Sequence, residues 1–233
     1  MKKSNSNRDK ILAFDPSGEW LTQWRRQFAA LEIGHLRSPA VHHPDPNLYE
    51  LRRFAENRSS ELFPPEDLPG SRLFEEFCGG TIKRWQLGDR VIKAKVTRIQ
   101  PKSGRFRLWF EDGKSAIARR VIVAAGSGKP HLPAWANQIQ TQHPAERIRH
   151  SHQVDLRILQ LQGKQILIVG GGLTRGHLAV EAIAREAKVL LMTTRYFPEK
   201  VGETLYQFRQ SCRNDIKSLL QKSGVNSHQD RNK

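Results

Sequence analysis

Two glycines in the second half of the chain have the spacing of a phosphate-binding turn. Gly170 and Gly172 follow a short apolar run in the segment ILIVGGGLTRGHLAV. At the junction of a strand and a helix, such glycines allow a tight turn and let the backbone approach a pyrophosphate, which the helix N-terminus also favours. Thr174 lies in the predicted first turn of that helix and is included in the candidate site. The turn therefore predicts dinucleotide binding.

One residue departs from this pattern. The third motif position packs the helix against the strand and ordinarily holds Gly or Ala, whereas this chain has Arg175. Either the helix moves outward, or the guanidinium leaves along the surface with its stem covering apolar atoms. We expect Arg175 to weaken the site, so Arg175→Ser or Arg175→Gly should strengthen nucleotide binding and raise stability. The opposite hypothesis is that Arg175 contacts a phosphate.

The elements around the turn have the order that the motif requires. The apolar run at 166–169 predicts a parallel strand buried on both faces, the following segment has helical periodicity, and KVLLM predicts a second strand. After that strand come Thr193, Thr194 and Arg195, without an acidic residue to bind a ribose 2′-OH. An arginine there can pair with a 2′-phosphate, which favours NADPH over NADH, although it can also be an ordinary surface residue.

The preceding part of the chain also alternates strands and helices. KILAF predicts a strand that ends at Asp15, and EWLTQWRRQFAAL predicts a helix. A second helix should begin after Gly70. Residues 89 to 125 change to the period of strands, which predicts a meander of DRVIKAKVTRIQ, RFRLWFEDG and SAIARRVIVAAG with a hairpin turn at Asp112 and Gly113. The sequence therefore predicts an α/β fold.

Composition limits the other classes of function. The formal net charge of +16 suggests polyanionic partners, but the basic residues are scattered and no nucleic-acid-binding motif accompanies them. Specific nucleic-acid recognition is therefore not expected, whereas non-specific adhesion to nucleic acid at low salt is expected.

No apolar run is long enough for a membrane span, so we expect a cytoplasmic protein. Cys78 and Cys212 lack metal-ligand spacing and are expected to be reduced, and the histidines of the loop HLRSPAVHHPDP lack the geometry of a metal site.

Several segments in a fixed order resemble the two-dinucleotide flavoprotein monooxygenases, the superfamily of flavin-containing monooxygenases and lysine or ornithine N-hydroxylases. These segments are DPSGEWLTQW, HLRSPAVHHPDP, ELFPPEDLPG, VIVAAGSGKPHLP, RHSHQ and ILIVGGGLTRGHLAV. The resemblance implies a partial FAD-binding domain at 11–163, which is Rossmann-like and incomplete and carries the three-stranded meander. It further implies a partial NAD(P)-binding Rossmann domain at 164–210 and a polar, basic tail at 211–233.

The resemblance also implies cofactors and site residues. Asp15 corresponds to the residue beside the FAD adenosine ribose, Ala125 and Gly126 lie where the chain passes between the two domains, and the turn at Gly170 binds NADPH. The implied activity is an FAD- and NADPH-dependent oxidation of a small molecule with a nucleophilic nitrogen or sulfur.

The sequence differs from the family at both ends. No Gly-rich turn for FAD precedes Asp15, and only 38 residues follow Arg195, so we expect a member truncated at both ends whose isolated chain purifies colourless. The alternative is a non-catalytic remnant, or a fragment that acts only with a partner supplying the missing FAD-binding segment.

Overall fold

The structure is a computed structural model that describes residues 11–126, 130, 132–136, 138 and 147–192. Contacts divide the chain into two compact units, Met1–Pro144 and Ala145–Lys233. The segment 147–163 therefore belongs to the second unit, whereas the sequence analysis places the domain boundary at 163/164. The assignment of the cofactor-binding domains themselves stays a prediction. In the described part of the chain, no helix is long and apolar enough to cross a membrane.

The first unit alternates short strands with helices. Its elements are, in order, β1 (Ala13–Asp15), α1 (Thr22–Ala30), α2 (Glu50–Phe54), β2 (Leu62–Phe63), β3 (Leu68–Pro69), α3 (Ser71–Arg84), β4 (Val91–Lys93), β5 (Val96–Lys102), β6 (Arg105–Phe110) and β7 (Ser115–Ala118). β1 pairs in parallel with β4, β2 pairs with β3, and β5, β6 and β7 form an antiparallel sheet. The predicted strand at Asp15, the helix after Gly70 and the meander are all present.

The helices of the first unit pack around a small apolar core. Leu51 of α2 and Phe77 of α3 are buried there together with Ala40. Trp24 of α1 stacks on Phe28 of the same helix, with ring centroids 4.2 Å apart. This core packs α2 against α3, and the ring of Trp24 lies 5.9 Å from that of Phe74, which brings α1 against α3.

Cys78 belongs to the same core, so the reactivity of its thiol tests whether the core is packed as described. The residue is 4% exposed, and desolvation raises the pKa of its thiol to about 11. Because the thiolate is the reactive form, we expect Cys78 in a Cys212→Ser variant to react with a disulfide reagent at mildly alkaline pH only after the protein unfolds. Thiol titration in native buffer and in denaturant checks this, and rapid modification of the native protein would contradict the packing described here.

The meander differs from its predicted form at both ends. DRVIKAKVTRIQ contains two strands instead of one, because β4 pairs with β1 and the chain then crosses to β5. The N–H of Ala94 at this crossing donates to the carbonyl of Asp15 over 3.1 Å. The predicted strand VIVAAG is also wrong beyond β7, since residues 119–126 form no strand and Ile122 is 92% exposed. The hairpin at Asp112 and Gly113 is confirmed, with Gly113 at φ +81°.

The second unit is a strand, helix, strand unit. β8 (Gln165–Val169) pairs in parallel with β9 (Lys188–Met192), and α4 (Leu173–Ala184) connects them. Ile166 and Val189 pack on a cluster that includes Ala182 and Leu156. The opposite face is exposed, with Leu167 at 53%, so the prediction of a strand buried on both faces is wrong for the described residues. Among the residues that the structure describes, α4 and the segment that precedes β8 cover one face of this pair.

Candidate nucleotide-binding site

The Gly-rich turn joins β8 to α4. The N–H of Gly170 donates to the carbonyl of Met192 over 2.9 Å, which continues the strand pairing by one residue. Gly170 then has φ +153°, a conformation that residues with a side chain rarely adopt. Gly172 is the N-cap of α4, in an extended conformation with φ −96° and ψ 177°. The two glycines therefore end the strand and start the helix within three residues, as the sequence predicts.

The turn has room for a ligand and donors to hold one. A Cβ atom added at Gly170 or Gly172 would meet no atom within 4 Å. No side chain caps the N-terminus of α4, and no acidic residue lies in its first turn. The first N–H groups of a helix have no partner within the helix, and here they include that of Thr174, a half-buried residue. These features fit the pyrophosphate of a dinucleotide.

The Arg175 guanidinium does not leave along the surface, as the second course considered for it requires, because it is partly buried against the Gly-rich turn. Its Nη1 donates to the carbonyl of Gly170 over 2.8 Å, so the guanidinium turns back towards the Gly-rich turn. The helix keeps its contact with the sheet, because Ala179 and Ala182, on the same face of α4, are 0% and 2% exposed. Burial lowers the pKa of Arg175 from its ordinary value. The side chain thus places a partly desolvated cation beside the first glycine of the turn.

Asp15 lies in the first unit at the carboxyl end of β1. Its Oδ1 accepts hydrogen bonds from the backbone N–H of Ser17 over 2.8 Å and from the Ser17 hydroxyl over 2.5 Å. Its carbonyl accepts from the N–H groups of Gly18 and Ala94, each over 3.1 Å. The carboxylate is therefore fixed at the end of the parallel strand pair, where a ribose-binding residue of this kind of fold is expected.

The sequence analysis missed the role of Ser17. An Asp followed two residues later by Ser, within DPSG, is the signal of a turn closed by the aspartate side chain, and this signal was present in the sequence. The turn orients the Asp15 carboxylate before any ligand arrives. Gly18, the next residue, has φ +78°, and a Cβ atom added to it would lie only 2.9 Å from the Cβ of Lys93. A side chain at position 18 would therefore push β4 away from β1.

Among the described residues, the hydrogen bonds of Asp15 do not reach the predicted site residues Ala125 and Gly126. Ala125 and Gly126 are exposed, and Gly126 has φ +64°. Arg195 lies outside the described residues, as do Thr193 and Thr194. In the part of the chain that the structure describes, no group of His, Cys, Asp and Glu side chains is arranged to hold a metal ion.

Comparisons with solved structures agree with this fold. A flavin-containing monooxygenase from Stenotrophomonas maltophilia has a TM-score of 0.55 at 16% identity, over 94% of this chain and 69% of its own. A double mutant of the flavin monooxygenase from the same organism has a TM-score of 0.52 at 17% identity, over 87% of this chain. The match spans 63% of the length of that second structure. At this level of identity the likeness shows the fold alone.

The family itself is shown by sequence. No curated protein matches this chain. A family model described as pyridine nucleotide-disulphide oxidoreductase matches residues 34–232, which include the meander and the Gly-rich turn. The match and the fold together confirm the resemblance to two-dinucleotide flavoproteins. The chain belongs to the pyridine nucleotide-disulphide oxidoreductase family.

Proposed function

We propose that this chain is an FAD- and NADPH-dependent oxidoreductase of the monooxygenase type, with impaired cofactor binding. The observation that carries the proposal is the open Gly-rich turn, which leads into a helix whose N-terminus no side chain caps. A turn that served only to connect β8 with α4 would not need open space above both glycines. The family match supports an oxidoreductase, and the fold likeness to two flavin monooxygenases supports the monooxygenase type.

The residues of the chain would bind and orient the cofactors. Gly172 and the first N–H groups of α4, including that of Thr174, would hold the NADPH pyrophosphate. Asp15 would accept a hydrogen bond from the FAD adenosine ribose, while Ala125 and Gly126 would lie at the passage between the two cofactor domains. When bound, NADPH supplies a hydride and FAD supplies the redox chemistry. The protein contributes position and electrostatics.

The substrate would be a small molecule with a nucleophilic nitrogen or sulfur, and the reaction would take place in the cytoplasm. Both statements rest on the likeness to flavin monooxygenases and on the sequence. The hydrogen bonds that Ser17 donates to the Asp15 carboxylate support its proposed role, because they fix the carboxylate before a cofactor binds.

The nucleotide preference tests the proposal. We expect the chain to bind NADPH more tightly than NADH, because Arg195 can pair with a 2′-phosphate and no acidic residue follows KVLLM to bind a 2′-OH. Calorimetric titration of both nucleotides measures the difference, and Arg195→Gln should reduce it. Equal or tighter binding of NADH would contradict the assignment of NADPH, and failure of both nucleotides to bind would contradict the proposed function.

A further inference from the structure

The antiparallel sheet of the first unit has two chemically different faces. On one face Leu108 is 5% exposed and the ring of Phe110 lies 4.9 Å from that of Phe14, so this face packs on the unit. The other face carries alternate residues of β6 and their partners on β5. The pairs on this face join Arg98 with Trp109, Gln100 with Arg107, and Lys102 with Arg105. We call Arg98, Lys102, Arg105, Arg107 and Trp109 the cationic face.

Two guanidinium groups of this face are held on the same indole. The guanidinium carbon of Arg98 lies 5.2 Å from the centroid of the Trp109 ring, and that of Arg107 lies 5.4 Å from it. Stacking on an aromatic ring restricts an arginine side chain while its N–H groups remain available to an anion. Arg98, which is exposed, is therefore positioned in advance for a ligand with acidic oxygens. Arg107 is half-buried and its Nε is hidden from solvent, so its contact with such a ligand falls to its terminal N–H groups.

Among the described residues, the cations of this face are not neutralised by carboxylates. In the part of the chain that the structure describes, none of Arg98, Lys102, Arg105 and Arg107 has a carboxylate within ion-pair distance. The acidic residues of the neighbouring hairpin are already engaged, Glu111 with Lys95 and Asp112 with Lys114. Ser115 and Ile117 of β7, which pair with Trp109 and Arg107, add no negative charge.

The spacing of the charges is that of a sheet surface. Alternate residues on a strand lie about 7 Å apart and neighbouring strands about 5 Å apart, so the cations form a regular, flat array. A flat three-stranded face does not fit into a groove of duplex DNA, which admits a helix or a two-stranded ribbon. A flexible single strand can instead adjust its phosphates to the array. Base stacking on Trp109 is not required, because the guanidinium groups already lie against its ring.

We propose that the cationic face binds the phosphodiester backbone of a single-stranded nucleic acid without sequence preference. Arginine presents paired N–H groups that suit phosphate oxygens, and the ligand's charge is complementary to four cations without local carboxylates. This binding is separate from the Gly-rich turn and does not depend on the proposed oxidoreductase activity. The proposed binding also differs from non-specific adhesion driven by the net charge of the chain, because it assigns the contact to the cationic face.

The test compares two double variants that each remove two positive charges, one variant on the cationic face and the other elsewhere on the first unit. We expect Arg98→Gln/Arg107→Gln to weaken binding of a labelled single-stranded oligonucleotide about tenfold in fluorescence anisotropy. The slope of log K against log salt should become shallower by about 1.4, since each phosphate contact on a single strand contributes about 0.7. The matched control is Arg26→Gln/Lys83→Gln, which removes two exposed cations from α1 and α3. We expect less than about a twofold change for it.

Several outcomes would overturn the proposal. Equal weakening by both double variants would assign the binding to total charge, and no weakening by Arg98→Gln/Arg107→Gln would exclude the face. Tighter binding of a duplex, or of polyglutamate at equal charge, would show that the ligand of this face is not a single-stranded nucleic acid. Circular dichroism of each variant verifies folding, and Arg98→Lys/Arg107→Lys provides a second probe that keeps the charge. This lysine variant should bind more tightly than the glutamine variant.

Discussion

Gly172→Ala is expected to weaken NADPH binding about tenfold or more while changing the free energy of unfolding by less than about 1 kcal/mol. Gly172 has dihedral angles that alanine adopts without strain, and an added Cβ meets no atom within 4 Å. The folded chain therefore accommodates the methyl group. The pyrophosphate does not, because its contacts with the helix N-terminus require close approach of the backbone at this glycine. A methyl group in that space lengthens the hydrogen bonds, which weaken steeply with distance.

Gly170→Ala is the matched control for this prediction. Its Cβ would also meet no atom within 4 Å, but Gly170 has φ +153°, so alanine there is strained. We expect Gly170→Ala to lower stability and nucleotide affinity together, and Gly172→Ala to lower affinity alone. Calorimetric titration with NADPH and urea unfolding measure the two quantities. Unchanged NADPH affinity in folded Gly172→Ala protein would mean that the turn does not bind the nucleotide.

Arg175→Ser is expected to strengthen NADPH binding about tenfold, which corresponds to about 1.4 kcal/mol. In the structure the guanidinium is held on the carbonyl of Gly170, beside the turn that the pyrophosphate must approach. Burial lowers the pKa of Arg175, which indicates that its cation is partly removed from water beside the turn. Serine at this position leaves the turn open and keeps a small side chain against the strand, as the motif requires.

The opposite sign would identify Arg175 as a phosphate ligand. In that case Arg175→Ser weakens NADPH binding, and Arg175→Lys, which keeps the charge, retains part of the affinity. Calorimetry on folded protein distinguishes the two. The gain in stability expected from sequence is smaller in the structure, because the hydrogen bond to Gly170 is lost with the guanidinium. We therefore expect the free energy of unfolding to change by less than about 1 kcal/mol, measured by urea unfolding.

The sequence by itself determined the features that depend on neighbouring residues. Gly170 fixes a turn because residues with a side chain rarely adopt its φ of +153°, and the periodicity after the turn fixes a helix. Asp112 and Gly113 fix a hairpin because a glycine accepts φ +81° there. The family followed from the order of such local signals along the chain. The turn closed by Asp15 and Ser17 was equally local and was open to prediction.

Only the tertiary structure decided which segments pair and where long side chains point. An apolar, alternating segment is a strand only if another strand accepts its hydrogen bonds, so VIVAAG forms none among the described residues while Val91–Lys93 pairs with Ala13–Asp15. The path of Arg175 depended on a carbonyl five residues away and on the packing of Ala179. The cationic face arose from the register of β5 with β6, which brings Arg98 and Arg107 to one indole. Composition shows the number of charges, whereas strand register decides which of them lie together.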